Sequence, residues 1–237
     1  MNGCCENSVN RHLEARLILA IDTATQSIGI ALHDGQRLLA ECTWQSGRHH
    51  TVELAPEIAL LMRRVKRSPD DLTAVAVASG PGSYTGLRIG MALAKGLALV
   101  HHIPLIGIST FDILAKAQPP GPDRLYAVLK AGRKRLSVCA YEPDNAGWVQ
   151  DGEPQNTTWE ELIDSIDTPV LLCGEMDEDA RLLLDDRDNI LVAAPPDSLR
   201  RPAWLAELAW KQIHSGKITD PAAVAPWYLD PRGESAL

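Results

Sequence analysis

Apolar positions near the start of the chain occur in short runs that predict a strand followed by a hairpin. Residues 17–23 are almost entirely apolar and end in Asp22-Thr23, which is typical of a buried strand with an acid at its carboxyl end. Residues 27–33 alternate and lead into Asp34-Gly35, a strong two-residue turn signal. Residues 37–44 then predict the returning strand.

Helical spacing begins at about residue 50. Apolar residues recur along 50–66 at intervals of three and four, and they are Leu54, Ala55, Ile58, Leu61, Met62 and Val65. Residues 73–79 predict a central strand, a glycine-rich loop follows, and residues 85–102 predict a second long helix. A strand at 104–109 and a short helix at 110–117 complete this half.

The pattern restarts after the Pro-rich segment 118–123. Strands are predicted at 125–129, 136–141, 170–173 and 190–193, with a turn at 143–147 and helices near 159–165, 178–184 and 203–214. This order predicts an α/β fold with mixed sheets flanked by helices. The expected organisation is a disordered extension (1–16), a first lobe (17–117), a linker (118–123), a smaller second lobe (124–200), and a C-terminal helix and tail (201–237) that packs on the first lobe.

Charge and cysteine content narrow the function. The formal net charge of −8 argues against strong direct binding of tRNA or another nucleic acid, since the dense basic runs are confined to residues 63–67 and 133–135. These runs are typical of a solvated helix end and a hairpin tip. Five cysteines without metal-type spacing, no apolar run long enough to span a bilayer and no secretory pattern in residues 1–16 predict a cytoplasmic protein.

The glycine loop has two interpretations. Gly80, Gly82 and Gly86 lie between a strand and a helix, where Ser83, Thr85 and the helix N-terminus could hold a phosphate. However, neither the P-loop pattern nor the dinucleotide fingerprint is satisfied. A tight turn capped by Ser83 or Thr85 is the structural alternative.

A stripe of small residues runs along the following helix, at Gly86, Gly90, Ala94 and Ala98. Such a stripe allows close approach by another element. That element is either an intramolecular neighbour or, together with the helix at 50–66, another subunit.

Few residues suit catalysis. Asp22-Thr23 before a hairpin resembles the first phosphate loop of the actin, sugar-kinase and Hsp70 superfamily, but Lys130 stands where the second lobe should supply an acid. Without that carboxylate, no group is evident to hold magnesium or position a water. Leu54 stands where a metal pair beginning at His50 would need a second histidine, and no serine-nucleophile motif occurs. We therefore predict no catalytic residue and no metal.

Three segments together resemble the TsaB family: residues 18–25, residues 46–56, and the glycine loop with its helix through Ala98. The match is dense over 17–117 and weak afterwards. The catalytic relative TsaD carries a His-x-x-x-His metal pair, which this chain lacks at Leu54. The second-lobe segment at Lys130 and the C-terminal Pro226-Trp227-Tyr228-Leu229-Asp230 depart from the usual family pattern, which puts contacts made there in doubt.

The resemblance implies a two-lobed actin-like (ASKHA) fold and a non-catalytic scaffold. It implies pairing with a TsaD-like catalytic subunit, recruitment of a TsaE-like ATPase, and a homodimer when the chain is alone. It implies no cofactor bound by the isolated chain, with room for a nucleotide at the subunit junction. The predicted interface residues are Leu54, Ile58, Leu61, Met62, Val65, Gly86, Gly90, Ala94 and Ala98. A vestigial phosphate loop would comprise Asp22, Thr23, Gly80, Gly82, Ser83 and Thr85.

Two other functions stay open. An independent weak ATPase or small-molecule kinase would use Asp22 and the glycine loop. A peptidase, as related proteins were once named, lacks a metal pair or a nucleophile–base set.

Overall fold

The computed structural model describes residues 17–47, 50–121, 123–132, 135–145, 147–218, 220–229 and 235–236. The predicted disordered extension (1–16) lies outside the described residues. The same holds for His49, most of the basic run at 133–135 and Asp230 in the tail. No helix among the described residues has the length and apolar character that a membrane span requires.

The chain divides into two units. The first unit contains residues 17–79, 83–108 and 202–226. Its elements are β1 (Ile18–Asp22), β2 (Ser27–His33), β3 (Leu38–Gln45), α1 (His50–Arg64), β4 (Ala74–Gly80), α2 (Tyr84–His101) and β5 (Leu105–Ser109), together with the C-terminal helix described below. The strands form one mixed sheet in the order β3-β2-β1-β4-β5, in which β1 pairs antiparallel with β2 and parallel with β4. The predicted strand–hairpin opening is therefore present.

The core of the first unit lies between its sheet and the helices α1 and α2. Leu19, Ile21, Val75 and Val77 from the strands pack there with the apolar stripe of α1. These side chains are almost completely removed from water, and burial of aliphatic surface is the main term that stabilises the unit.

The C-terminal helix, Pro202–His214, packs on β1, β2 and β3. Close contacts fix it there, because a Cβ added to Gly29 would touch the ring of Pro202. One added to Gly35, whose φ is +87°, would overlap Trp210. The imidazole Nε2 of buried His33 lies 3.6 Å from a carboxylate oxygen of Glu207 on this helix.

The second unit contains residues 80–82, 109–201 and the segment from Trp227 onward. Its elements are α3 (Thr110–Ala117), β6 (Arg124–Lys130), β7 (Leu136–Asp144), β8 (Gly147–Thr157), α4 (Trp159–Asp164), β9 (Val170–Gly174), α5 (Glu178–Asp185) and β10 (Ile190–Val192). The helix Pro202–His214 is accordingly α6, and two short strands, β11 (Tyr228–Leu229) and β12 (Ser235–Ala236), form a separate pair. The main sheet has the order β10-β9-β6-β7-β8.

The two main sheets share one topology. In each sheet, the first strand pairs antiparallel with the second and parallel with the fourth, and the third strand lies at an edge. Thus β6 corresponds to β1 and β9 corresponds to β4. Lys130 is the last residue of β6 as Asp22 is of β1, and Gly174 is the last residue of β9 as Gly80 is of β4. Both glycines have positive φ, +116° and +125° respectively.

Two details differ from the sequence expectation. The change of unit falls at Ser109 rather than after residue 117, because Phe111, Leu114 and Ala115 of α3 pack in the core of the second unit. The first residue of the Pro-rich segment, Gln118, is packed against the second unit rather than exposed as in a linker. Gln118 is buried, and its amide nitrogen donates a hydrogen bond of 2.6 Å to the carbonyl of Asp197.

A long strand also follows the predicted turn at 143–147. Residues 147–157 form β8, the polar edge strand of the second sheet, which pairs antiparallel with β7. Its residues are mostly exposed, so it lacks the apolar alternation that reveals half-buried strands.

Candidate functional site

The end of β1 and the first turns of α2 are joined directly. The hydroxyl of Thr23 donates a buried hydrogen bond of 2.8 Å to the carbonyl oxygen of Gly86. The amide of Ser83 donates to the carbonyl of Ala24 at 2.6 Å. The side chain of Ser83 in turn accepts from the amide of Gly86 at 3.3 Å, so it is the N-cap of α2.

Glycine is required where α2 crosses Thr23. A Cβ added to Gly86 would overlap the carbonyl oxygen of Thr23, and one added to Gly90 would overlap its hydroxyl oxygen. The small-residue stripe therefore lets the helix approach the chain's own strand. Of the two interpretations of this stripe, the intramolecular one applies.

This packing bears on the predicted interface residues. Leu54, Ile58, Leu61 and Met62 are at most 7% exposed, and Val65 is half-buried against the same core. Gly86, Gly90, Ala94 and Ala98 are also buried. Side chains that already fill the core of their own unit leave little area for a partner, although Leu54 also lines the groove described below. An interface role for these nine residues stays a prediction.

The outward faces of α1 and α2 carry a largely different set of residues, with Leu54 common to both sets. A groove of about 430 Å³ runs between the two helices, and it is lined by Thr51, Leu54, Ala55, Tyr84, Thr85, Arg88, Ile89, Ala92 and Leu93. Several large apolar side chains stand exposed on the same helices: Val52 at 66%, Tyr84 at 55%, Leu99 at 63% and Val100 at 72%. The guanidinium of Arg88 lies 3.9 Å from the centroid of the Tyr84 ring, a cation–π contact.

The position of α1 at this groove is fixed from the side of the sheet. The indole nitrogen of Trp44 on β3 donates a hydrogen bond of 3.1 Å to a carboxylate oxygen of Glu53. Pro56 is accommodated within α1, and Gly96 of α2 faces open space. The outward surface is thus mainly apolar with small residues along α2, a composition that permits close approach by another helix.

The residues of the predicted phosphate loop have structural partners. Asp22 is 1% exposed, and one of its carboxylate oxygens accepts from the amide of Ala24 at 2.8 Å. The hydroxyls of Thr23 and Ser83 bond to α2, as described above. Gly80 is buried at the end of β4, Gly82 is half-buried, and Thr85 is exposed and lines the groove. A phosphate role for these residues stays a prediction.

Lys130, which ends β6 as Asp22 ends β1, takes part in an ion-pair network. Its ammonium lies 3.1 Å from a carboxylate oxygen of Asp177. The amide of Lys130 donates to Glu175, and Glu175 also pairs with Arg200 at 2.9 Å. The pKa of Asp177 is lowered, first by the hydrogen bond from the Ala180 amide and then by Lys130. A cation paired in this way cannot substitute for a carboxylate in binding magnesium.

The buried thiols of the second unit are poor nucleophiles. Burial raises the pKa of Cys139 and of Cys173 to about 12. A thiol with such a pKa is almost entirely protonated at neutral pH.

Nearby, the Tyr141 hydroxyl donates a hydrogen bond of 2.7 Å to Asp112, and burial raises the pKa of both groups. Among the described residues, no cluster of three or more His, Cys, Asp and Glu side chains is arranged to hold a metal ion.

Several curated proteins similar to this chain carry one name. A Bacillus subtilis protein named tRNA threonylcarbamoyladenosine biosynthesis protein TsaB is 34% identical over 160 residues, which is 66% of this chain and 70% of that protein. This chain belongs to the TsaB family. The Escherichia coli TsaB is 35% identical over 148 residues, covering 62% of this chain and 64% of its relative.

Comparisons with a family model and with solved structures add to this result. The family described as "TsaD: tRNA N6-adenosine threonylcarbamoyltransferase" matches residues 44–157. The solved structure of YeaZ from Pseudomonas aeruginosa superposes with a TM-score of 0.76 at 22% identity, covering 90% of this chain and all of that chain. Component A of the Acidaminococcus fermentans (R)-2-hydroxyglutaryl-CoA dehydratase gives a TM-score of 0.52 at 12% identity, over 84% of this chain and 99% of that chain. The predicted actin-like α/β fold with mixed sheets flanked by helices is confirmed.

Proposed function

We propose that this TsaB-family chain acts in the biosynthesis of tRNA threonylcarbamoyladenosine as a non-catalytic subunit. Its role is to pair with a TsaD-like catalytic subunit and to help recruit a TsaE-like ATPase. The assembled complex transfers threonylcarbamoyl from threonylcarbamoyl-AMP to the adenosine next to the anticodon. The names of the relatives support the pathway, and the chain's own residues support the non-catalytic role.

Two positions argue against chemistry by the chain itself. Leu54 stands where a TsaD-like metal pair would need its second histidine, and it is buried in the apolar core at 1% exposure. Lys130 stands at the strand end equivalent to Asp22 and pairs with Asp177. One position therefore offers a hydrocarbon side chain where a ligand is needed, and the other offers a cation where an acid is needed.

The exposed face of α1 and α2 is the observation that carries the proposal of pairing. These helices have 15 and 18 residues, whereas their counterparts α4 and α5 have 6 and 8. The extra length carries exposed apolar side chains. Their exposure to water is unfavourable, and burial in an interface would remove that cost in free energy. We name the outward groove, which Ala92 lines, together with the exposed residues Val52, Leu99 and Val100, the docking face.

The same face is available to a second copy of the chain. A twofold arrangement would place α1 and α2 of one copy against α1 and α2 of the other, as self-complementary dimers do. We propose that such a homodimer forms when the chain is alone and gives way to pairing with the TsaD-like subunit. A nucleotide at the junction of the full complex would then be held jointly with that subunit.

Reconstitution tests this function. Purified TsaD-like and TsaE-like proteins from the same organism would be combined with threonylcarbamoyl-AMP or its precursors and an unmodified tRNA transcript, with and without this chain. We expect threonylcarbamoyl incorporation into the tRNA to require the chain, while the chain alone incorporates none. Equal incorporation in its absence would contradict the proposal.

A further inference from the structure

Four cations are concentrated at the end of α1 and in the turn that follows it. They are Arg63, Arg64, Lys66 and Arg67, and all four side chains are exposed. Within the part of the chain that the structure describes, no ion pair engages Arg63, Arg64 or Lys66, and Arg67 meets only the longer-range charge of Asp71. We name these four residues the basic cluster. The chain as a whole has a formal net charge of −8, so the local charge at this cluster is opposite in sign to that of the protein.

The backbone under the basic cluster is held in one conformation. Lys66 has a left-handed conformation with φ of 56°, and its amide donates to the carbonyl of Arg63 at 3.1 Å. The amide of Arg67 donates to the carbonyl of Met62 at 2.9 Å. This pair of bonds is the Schellman arrangement that closes many helices. A ligand that binds the four side chains therefore does not have to order the backbone first.

The two nearest carboxylates are committed elsewhere. Asp71 accepts hydrogen bonds from the amide and hydroxyl of Ser68, at 2.7 and 3.1 Å, and these bonds lower its pKa. Asp70 lies 3.6 Å from the Nδ1 of His101 at the end of α2. Neither acid neutralises the four cations at close range, so the cluster keeps its positive potential next to solvent.

We propose that the basic cluster binds the phosphate backbone of the tRNA in the assembled complex, an inference that rests on the proposed function. Closely spaced cations bind polyanionic nucleic acid by releasing its condensed counterions, whatever the base sequence. A protein partner is less well matched, because the arginine, tyrosine and tryptophan hot spots of protein interfaces lie in well-packed, fully desolvated patches, whereas these four side chains are exposed. The apolar residue within the cluster, Val65, is half-buried against the core of its own unit.

The acidic remainder of the chain limits this binding. With a net charge of −8, the isolated chain repels RNA at most of its surface, so we expect weak binding by the chain alone. In the complex, the cluster adds its contacts to those of the other subunits on the same RNA molecule. Contributions of this kind combine through a high effective concentration and become measurable in the assembled state.

A charge-removal pair of variants tests the proposal in the full complex. The test variant is Arg63→Gln/Arg64→Gln/Arg67→Gln, which leaves Lys66 and its backbone conformation unchanged. The matched control is Arg187→Gln/Lys211→Gln/Lys217→Gln, which removes three exposed cations outside the cluster. Both variants would first be compared with the wild type for melting temperature and for co-elution with the TsaD-like and TsaE-like subunits.

We expect the test variant to reduce the affinity of the complex for the unmodified tRNA transcript at least about tenfold at 150 mM salt, and to lower the slope of log K against log salt by about 2–3. The KM for tRNA should rise while kcat stays unchanged, and the control should stay within about twofold of wild type. Wild-type affinity and salt dependence in the test variant would overturn the proposal even if reconstitution still requires the chain. Loss of subunit co-elution, with tRNA affinity unchanged, would identify a protein-docking surface instead and would also overturn it. If the chain proves dispensable in reconstitution, it is the proposed function that fails.

Discussion

The hydroxyl of Thr23 lies 2.8 Å from the carbonyl oxygen of Gly86, and this hydrogen bond ties the end of β1 to the first turn of α2. The contact is possible only because α2 presents glycine at two successive turns on this side. It also decides what the glycine-rich helix does, since the small residues face the chain's own strand. The surface available to a partner is consequently the opposite side of α2.

The first prediction concerns this crossing. Gly90→Ala should destabilise the protein by about 1–3 kcal/mol, since the new methyl group overlaps the Thr23 hydroxyl. Gly96→Ala is the matched control on the same helix, because a Cβ there meets nothing within 4 Å. It should stabilise the protein by up to about 1 kcal/mol through helix propensity alone. Urea denaturation followed by circular dichroism measures both changes.

Relief of the overlap supplies an internal check. Thr23→Ala removes the hydroxyl oxygen that a Cβ at Gly90 would strike, so the double variant Thr23→Ala/Gly90→Ala should lose less stability than the sum of the two single changes. Strict additivity of the two changes would show that the two sites do not touch in solution. At Gly86 no such relief is expected, because the overlapping atom belongs to the backbone of Thr23.

The second prediction concerns the docking face. Ala92 is exposed and lines the groove between α1 and α2, so Ala92→Arg should place a long charged side chain in the interface and leave the core untouched. We expect the dissociation constant for the TsaD-like subunit to rise at least about tenfold and the homodimer to weaken, at an unchanged melting temperature. Isothermal titration calorimetry and analytical ultracentrifugation measure these effects. Leu182→Arg on α5, where Leu182 is 64% exposed, is the control and should bind as wild type does. Equal weakening by both variants would argue against this face.

The third prediction addresses the alternative of an independent ATPase. The isolated chain should hydrolyse ATP no faster than a matched blank, with or without magnesium. Asp22→Asn should leave that background unchanged. The substitution keeps the local hydrogen bond, because the buried Asp22 carboxylate accepts from the backbone amide of Ala24 and an amide oxygen can do the same. Release of phosphate from ATP by the wild type that Asp22→Asn abolishes would favour the ATPase.

The fourth prediction is a pH dependence from the buried Asp112–Tyr141 pair. Burial raises the folded-state pKa of Asp112, which the hydrogen bond from Tyr141 only partly offsets. Between the unfolded and folded pKa values the unfolded chain binds fewer protons, so this group lowers stability as pH rises through that window. Asp112→Asn keeps an oxygen acceptor for Tyr141 and removes the titration. Its stability relative to wild type should therefore improve as the pH rises from 4 to 7. Denaturant titrations at the two pH values measure this difference, and a pH-independent difference would contradict the assignment.

Local patterns predict most of the elements because each half-buried strand or helix leaves its period in the sequence. The hairpin after β1, the apolar stripe of α1 and the N-cap at Ser83 are all visible in this way. The edge strand β8 is not, because its side chains are mostly exposed and Gly152 and Pro154 interrupt it. The unit to which α3 belongs is also hidden, since an apolar face does not say which sheet it covers.

The candidate site shows the same limit at finer scale. A small-residue stripe and an apolar stripe satisfy a core and an interface equally well, so the sequence leaves Gly90 and Leu54 open between the two. For Gly90 the neighbour that decides is Thr23, which lies far away along the chain and meets α2 only in the folded structure. The docking face also includes residues that the apolar period skips, such as Ala92 and Val52.

The return of α6 to the first sheet has a consequence for how the protein is made. During synthesis, β1 to β5 leave the ribosome before the whole second unit, and α6 follows only after that. Until then, Gly29 of β2 and Gly35 of the following turn lack the cover that Pro202 and Trp210 give them, and the side of the sheet that α6 covers in the finished protein is exposed to water. The first unit is therefore incomplete until α6 has been synthesised. Chaperones that bind exposed apolar surface have the longest time to bind the chain during that interval.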